Sequence, residues 1–311
     1  MTVQPLERAT KSKSIGWLQK DKNREAIAGY LFLLPTFIGF IIFVLGPIIS
    51  AIGLSFTSYD LLSPPKFVGL ENYTQIFKDP RLRVVYGNTA FFTILAVTFN
   101  LGIALVLAVL LNRKLPGFLK YLFRAAYFFP VLVALAYSSV IWSFLYQKDT
   151  GIINYYLHIL GVDPIPWLSS KEWVLPSIII LDVWKNTGFA MLVFLAGLQN
   201  IPQDYYEAAQ IDGAGRYALF RHITMPLITP TLLLNLIIYM IGALQVFDSI
   251  QVLTQGGPGD ASRSVTMYVT EVAFQSLQMG YGSAIAITLF IIIMILTLLQ
   301  FRISRAWVFY D

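Results

Sequence analysis

Six stretches of the sequence run almost without polar residues: 27–56, 89–111, 125–145, 174–198, 227–253 and 283–301. A helix rises 1.5 Å per residue and a bilayer core is about 30 Å thick, so about 20 apolar residues suffice to cross it. Single-sided helices of a soluble core would carry charge along one face. Here only Asp182, Lys185 and Asp248 fall inside the runs. The pattern therefore predicts an all-α integral membrane protein of six transmembrane helices. Pro35 and Pro47 lie in the first run, where neighbouring groups can satisfy the carbonyls they free. That run follows 26 mostly polar residues, is too long for the apolar core of a signal peptide, and has no small-residue cleavage site after it.

Composition sharpens the picture. Of 311 residues, 57% are hydrophobic and 13% charged, against about 25% charged in a soluble domain. An ordinary cytosolic enzyme and a disordered chain are both excluded. With no cysteine and only His158 and His222, thiolate and histidine-rich metal sites are excluded as well. No metal and no cofactor are expected.

Charge sets the orientation. If both termini lie on one side, that side holds fourteen lysines and arginines. They include Arg8, Lys11, Lys13, Lys20, Lys22 and Arg24 of the tail, Arg113, Lys114, Lys120 and Arg124, and Arg216, Arg221, Arg302 and Arg305. The other side holds seven. The excess predicts an N-in/C-in topology. The net charge of +5 is then a topology signal with affinity for anionic membrane lipid, and no nucleic-acid partner is expected. The division is a tail over 1–26, a transmembrane domain over 27–303, and a second tail over 304–311.

The segment 200–226 between the fourth and fifth runs is the most informative. Pro202 suits a first helical turn, and Asp204 and Glu207 suit its positive end. Tyr205, Ala208 and Ala209 share a face, Gly213 permits a sharp turn, and a short second helix carries Tyr217, Leu219 and Phe220. This is a helix–turn–helix of a form that fills a partner's groove, or that lies on lipid.

The same residues carry a resemblance. Glu207-Ala208-Ala209, then Gly213, then Ile223-x-Met225-Pro226 resembles the EAA loop of binding-protein-dependent ABC importer permeases, with methionine in place of the usual leucine. Gln245-Val246-Phe247-Asp248, Val252 to Gly259, and Glu71-Asn72-Tyr73 are similar to permeases for oligosaccharides and glycerol phosphate, first-subunit type. The resemblance covers about residues 26–303. It implies a type I ABC importer permease fold in a prokaryotic cytoplasmic (inner) membrane. It implies alternating access driven by a dimer of ABC ATPase subunits, a second related permease, and an extracytoplasmic solute-binding protein that delivers a sugar-like solute. Tyr205, Glu207, Ala208, Ala209, Asp212, Gly213, Tyr217 and Phe220 would dock the ATPase. The chain has no G-x-x-x-x-G-K-[ST] loop, so it is expected to be a transport subunit and no enzyme.

For the substrate path, ionisable residues inside a span are the first candidates. Asp182, Lys185, Asn186 and Phe189 share one face at i, i+3, i+4, i+7; they could line a sugar site, or Asp182 and Lys185 could simply pair. Asn235, Tyr239, Gly242, Ala243 and Val246 share a face of the fifth run, with room for a ligand or for a close helix. Tyr137, Ser138 and Ser139 are weaker candidates in the third, and Trp184 faces elsewhere. The rival class is an ion-coupled secondary transporter, for which two intramembrane carboxylates are few. A neutral sugar fits better than a glycerol phosphate, which would favour a cationic lining.

Overall fold

The computed structural model describes residues 14–309 apart from Lys114, with side chains from Arg24 onward. The basic positions Arg8, Lys11, Lys13 and Lys114 lie outside the described residues, as do the side chains of Lys20 and Lys22. Contacts divide the chain into one unit ending at Gly53 and a second beginning at Leu54.

In the first unit, helix α1 (Ser14–Phe40) passes through a π-helical turn (Ile41–Leu45) into α2 (Gly46–Ser55). The helix starts at Ser14, well before the apolar run. The wider turn precedes Pro47, which has no N–H and whose ring crowds the carbonyl four residues back. Gly46 N–H bonds to Ile41 O, five residues back, and the widened turn absorbs the proline.

The second unit begins with a short antiparallel pair, β1 (Thr57–Ser58) and β2 (Lys66–Phe67), in register Thr57↔Phe67. It is a small departure from an all-helical chain. Helix α3 (Glu71–Lys78) follows. Asn72 Nδ2 donates to Ser55 O at 2.8 Å and Thr57 O at 2.9 Å, and the Tyr73 hydroxyl bonds Ser55 Oγ at 2.7 Å. The Glu71-Asn72-Tyr73 signature is thereby a clasp on the chain leaving α2.

Helix α4 (Pro80–Leu111) starts nine residues before its apolar run because Asp79 caps it. Asp79 accepts from the backbone of Arg81 and Leu82, and Pro80 occupies the first turn where no N–H is needed. Helices α5 (Gly117–Leu132) and α6 (Leu135–Leu145) meet at 100°. The expected continuous span 125–145 is thus broken at Val133 and Ala134, both extended, three residues after Pro130. Helix α7 (Ile152–Ile159) lies in the next loop, α8 (Val174–Gln199) is unbroken, and α9 (Gln203–Ile211), α10 (Arg216–Leu219) and α11 (Met225–Leu227) form the helix–turn–helix. Helix α12 (Thr229–Leu244) stops short of the expected end at 253, and α13 (Asp248–Leu253) is separate. Helices α14 (Val265–Thr270) and α15 (Met279–Ser304) complete the chain. Among the described residues, four helices are long and apolar enough to cross a bilayer, and six if each bent pair counts once.

The core joins α4, α8 and α12 through Phe92, Ala96 and Ala104 on α4, Ile178, Leu181, Met191 and Phe194 on α8, and Ala243 on α12. Lipid is as apolar as leucine, so close packing rather than water exclusion holds membrane helices together, and small residues let backbones approach. Gly188 shows how close: a methyl group there would sit 2.0 Å from Tyr127 O on α5. Gly188→Ala is expected to cost about 3 kcal/mol or more, read as a lower melting temperature of the purified complex. Gly102→Ala, where a methyl meets nothing within 4 Å, should be near neutral.

A smaller cluster at the other end of α4 (Leu82, Val85, Val265, Tyr268, Ile285) is roofed by charge. Arg81 grips Asp260 through two bonds, at 2.9 and 3.0 Å, and Glu271 through a third at 3.0 Å. Arg263 pairs with both carboxylates. Asp79 accepts from the hydroxyls of Tyr268 at 2.7 Å and Tyr281 at 2.9 Å. Partial burial pushes the Asp79 carboxyl up, and these hydroxyls with the capping amides outweigh it, leaving it below the usual range. The Arg81 hydrogen bonds, against partial burial and with help from Arg263, hold Asp260 down to about 2.

An unfolded aspartate titrates near 3.9. The Asp260 contribution is therefore complete above about pH 4 and is lost as pH falls through about 2. Asp260→Asn is expected to cost only about 1 kcal/mol, because Arg81 is 43% exposed and solvent screens the pair. A melting-temperature profile from pH 7 to 3 checks it: the Asn variant should lie lower, and the gap should narrow below pH 4.

Candidate functional site

Helix α8 turns Asp182, Asn186 and Phe189 onto a cavity of about 560 Å³. Asn186 Nδ2 donates to Asp182 Oδ1 at 3.0 Å, so the carboxylate is paired with a carboxamide one turn on. Lys185, in phase with them by sequence, leaves the cavity. Its Nζ donates to Val131 O at 2.8 Å, a carbonyl freed because α5 stops at Leu132. The lysine pins the α5–α6 bend. Lys185 is not among the lining residues, and no Asp182–Lys185 salt bridge is among those formed by the described residues.

The opposite wall is α12. Tyr239 crosses to α8, its hydroxyl donating to Asn186 O at 2.7 Å. Gly242 lines the cavity, and a methyl group there would meet nothing within 4 Å. Its smallness leaves open space in the wall. Ala243 lines the wall beside it, and Val246 does so from the unwound Gln245–Phe247 break rather than from the helix face expected. Asp248, at the start of α13, and Gln245 complete that side.

Helix α4 supplies Ala96 and Val97, and the bend supplies Val131 and Leu135. Tyr137, Ser138 and Ser139 do not take part: Tyr137 is exposed and the serines are buried elsewhere. Trp184 packs on Trp142 with ring centroids 5.5 Å apart.

The lining thus combines two carboxylates, two carboxamides, a tyrosine and two aromatic faces, Phe189 and Phe247, with apolar walls. A mostly apolar cleft with a few convergent polar groups is the general form of a small-molecule site. The hydrogen-bonding groups and flat aromatic faces match a polyhydroxylated ring. No lysine, arginine or histidine lines it among the described residues.

The helix–turn–helix is built as its sequence predicts at the turn. Gly213 has φ +82°. Ala214 N–H bonds to Ala209 O at 2.9 Å and Gly213 N–H to Gln210 O at 3.0 Å, the paired closure of a Schellman cap. On the inner side the Tyr206 hydroxyl meets Thr224 Oγ1 at 3.0 Å, and a groove of about 680 Å³ runs past Val109, Arg113 and Phe220. Phe220 therefore faces inward. Tyr205, Glu207, Ala208, Asp212 and Tyr217 face out, Tyr217 at 77% exposure, while Ala209 is half-buried. Ile211, which the sequence pattern did not single out, is 87% exposed at the tip.

Residues 100–308 match the family model for the binding-protein-dependent transport system inner membrane component. The chain is 35% identical to the probable ABC transporter permease protein YesP of Bacillus subtilis (strain 168), covering 100% of this chain and 99% of YesP. It is 38% identical to the trehalose/maltose transport system permease protein MalF of Thermococcus litoralis, covering 92% and 96%. A bacterial alginate ABC transporter, solved in complex with an alginate pentasaccharide-bound periplasmic protein, contains a chain with TM-score 0.83 and 25% identity, covering 93% and 97%.

Proposed function

Because the chain belongs to the binding-protein-dependent transport system inner membrane components and is a multi-pass permease subunit, we propose that it carries an uncharged sugar through the α4–α8–α12 cavity, powered by partner ATPases. The observation that carries this reading is the cavity itself. Asp182, Asn186 and Tyr239 converge on it with Phe189, and the lysine on the same helix face is turned away.

A mono- to oligosaccharide without acidic groups would bond its hydroxyls to the carboxylate and carboxamide and lay a ring face on Phe189. An acidic sugar would meet Asp182 and Asp248 with no cation to compensate, at a cost that a low-dielectric site magnifies. The trehalose/maltose relative fits this chemistry better than the alginate transporter does. Six crossings, with both bent helix pairs counted and both termini in the cytoplasm, fit the basic asymmetry.

In this arrangement the 200–226 segment faces the ATPases and presents Tyr205, Glu207, Asp212, Tyr217 and Ile211 to them. A second permease supplies the other half of the path, a binding protein delivers the solute outside, and lipid covers the apolar exterior.

The test is uptake by the complete transporter, with its binding protein, in proteoliposomes. Labelled trehalose and maltose serve as probes, and a uronic-acid disaccharide as competitor. Uptake of a neutral probe, insensitive to the acidic disaccharide, is the expected result. Uptake of the acidic disaccharide itself would count against the reading.

A further inference from the structure

Two asparagines lie one helical turn beyond the cavity wall, toward the end of the helices that carries the 200–226 segment. Asn100 follows Val97 and Ala96 on α4, and Asn235 precedes Tyr239 and Ile238 on α12. On α8, Ala190 lies one turn past Asn186, and its carbonyl accepts from Asn235 Nδ2 at 3.4 Å.

Both side chains are sealed in the core, at 1% and 0% exposure. Yet Asn100 has no partner at either Oδ1 or Nδ2, and Asn235 has none at Oδ1. A buried polar group without a hydrogen bond is destabilising, more so at membrane depth, and calls for a reason. Packing alone would be served better by leucine or valine.

We propose that Asn100 and Asn235 form a second hydroxyl-binding station, which receives the sugar from the cavity as the path opens toward the 200–226 segment. This rests on the cavity reading above. A carboxamide both donates and accepts, so each can engage a pair of neighbouring ring hydroxyls. In this structure three of their polar atoms go unpaired. In an open, loaded arrangement the solute pairs them. Differential bonding of this kind is what lets a solute shift the equilibrium toward the inward-open state. The station adds no charge, in keeping with an uncharged solute.

The test compares Asn100→Val, Asn100→Thr and Asn235→Val in the complete transporter, reading melting temperature together with uptake of labelled trehalose and maltose. Valine and threonine are nearly isosteric and differ in one hydroxyl. The expected result is that both valine variants melt at or above the wild-type temperature, yet take up the probe about tenfold more slowly, the loss of one solute hydrogen bond. Asn100→Thr should recover most of the Asn100→Val loss.

The proposal is overturned if the valine variants melt lower, or if Asn100→Thr and Asn100→Val transport alike. Wild-type failure to carry either probe would instead remove the choice of sugar. The melting temperatures would then decide the station alone, a fall counting against it and a rise for it.

Discussion

Asp182→Ala is expected to lower uptake of the carried sugar about a hundredfold, while the chain still assembles with its partners. The size follows from what is lost. A carboxylate hydrogen bond is worth about 1.5–3 kcal/mol, and a hundredfold change corresponds to about 2.7 kcal/mol. The substitution removes that acceptor and leaves Asn186 Nδ2 without its 3.0 Å partner. Assembly is spared because Asp182 borders the cavity instead of joining helices.

The neighbouring Lys185→Ala has the opposite signature. It frees the Val131 carbonyl at the α5–α6 bend, so the amount of assembled transporter falls while the concentration giving half-maximal uptake stays the same. Uptake kinetics on quantified complexes separate the two. Equal kinetic constants for Asp182→Ala and wild type would remove α8 from the path.

Gly213→Val is the second large effect. Valine at φ +82° is a severe backbone strain, of order 1–3 kcal/mol or more. It breaks the Schellman cap and misaligns the outward face carrying Tyr205, Glu207 and Tyr217. Uptake should fall tenfold or more, with ATP hydrolysis no longer stimulated by the loaded binding protein. Ile211→Asp leaves the backbone untouched and removes only the exposed tip. It should weaken co-purification of the ATPase while the melting temperature of the permease pair is unchanged. Retained co-purification and normal uptake in both variants would mean that the segment lies on lipid.

Among the described residues, each helix or bent pair long and apolar enough to cross a bilayer overlaps one of the apolar runs, because lipid imposes one requirement along the whole of a span. Their ends were less legible. Helix α4 reaches back to Pro80 through the Asp79 cap, a polar signal invisible to hydropathy. The breaks at Val133–Ala134 and Gln245–Phe247 lie inside uniformly apolar or mixed sequence, where only packing decides the path.

Asp182, Asn186 and Phe189 ride one unbroken helix, and their shared phase brings them to one cavity wall. Lys185 shares that phase, but its long side chain leaves the face for an acceptor 54 residues away in sequence. The Arg81–Asp260–Glu271 cluster joins residues about 180 apart, and no local pattern announces such a pair. Asn100 is one polar residue in an apolar run, and its lack of partners is visible only in the structure.

The most direct measurement is the energy source of uptake. The chain is reconstituted with its second permease, ATPase and binding protein in sealed proteoliposomes, and labelled trehalose and maltose are offered outside. ATP is enclosed or omitted, with proton and sodium gradients collapsed by ionophores. The account predicts accumulation that requires enclosed ATP and persists without the gradients. Accumulation that follows an imposed ion gradient without ATP would contradict it.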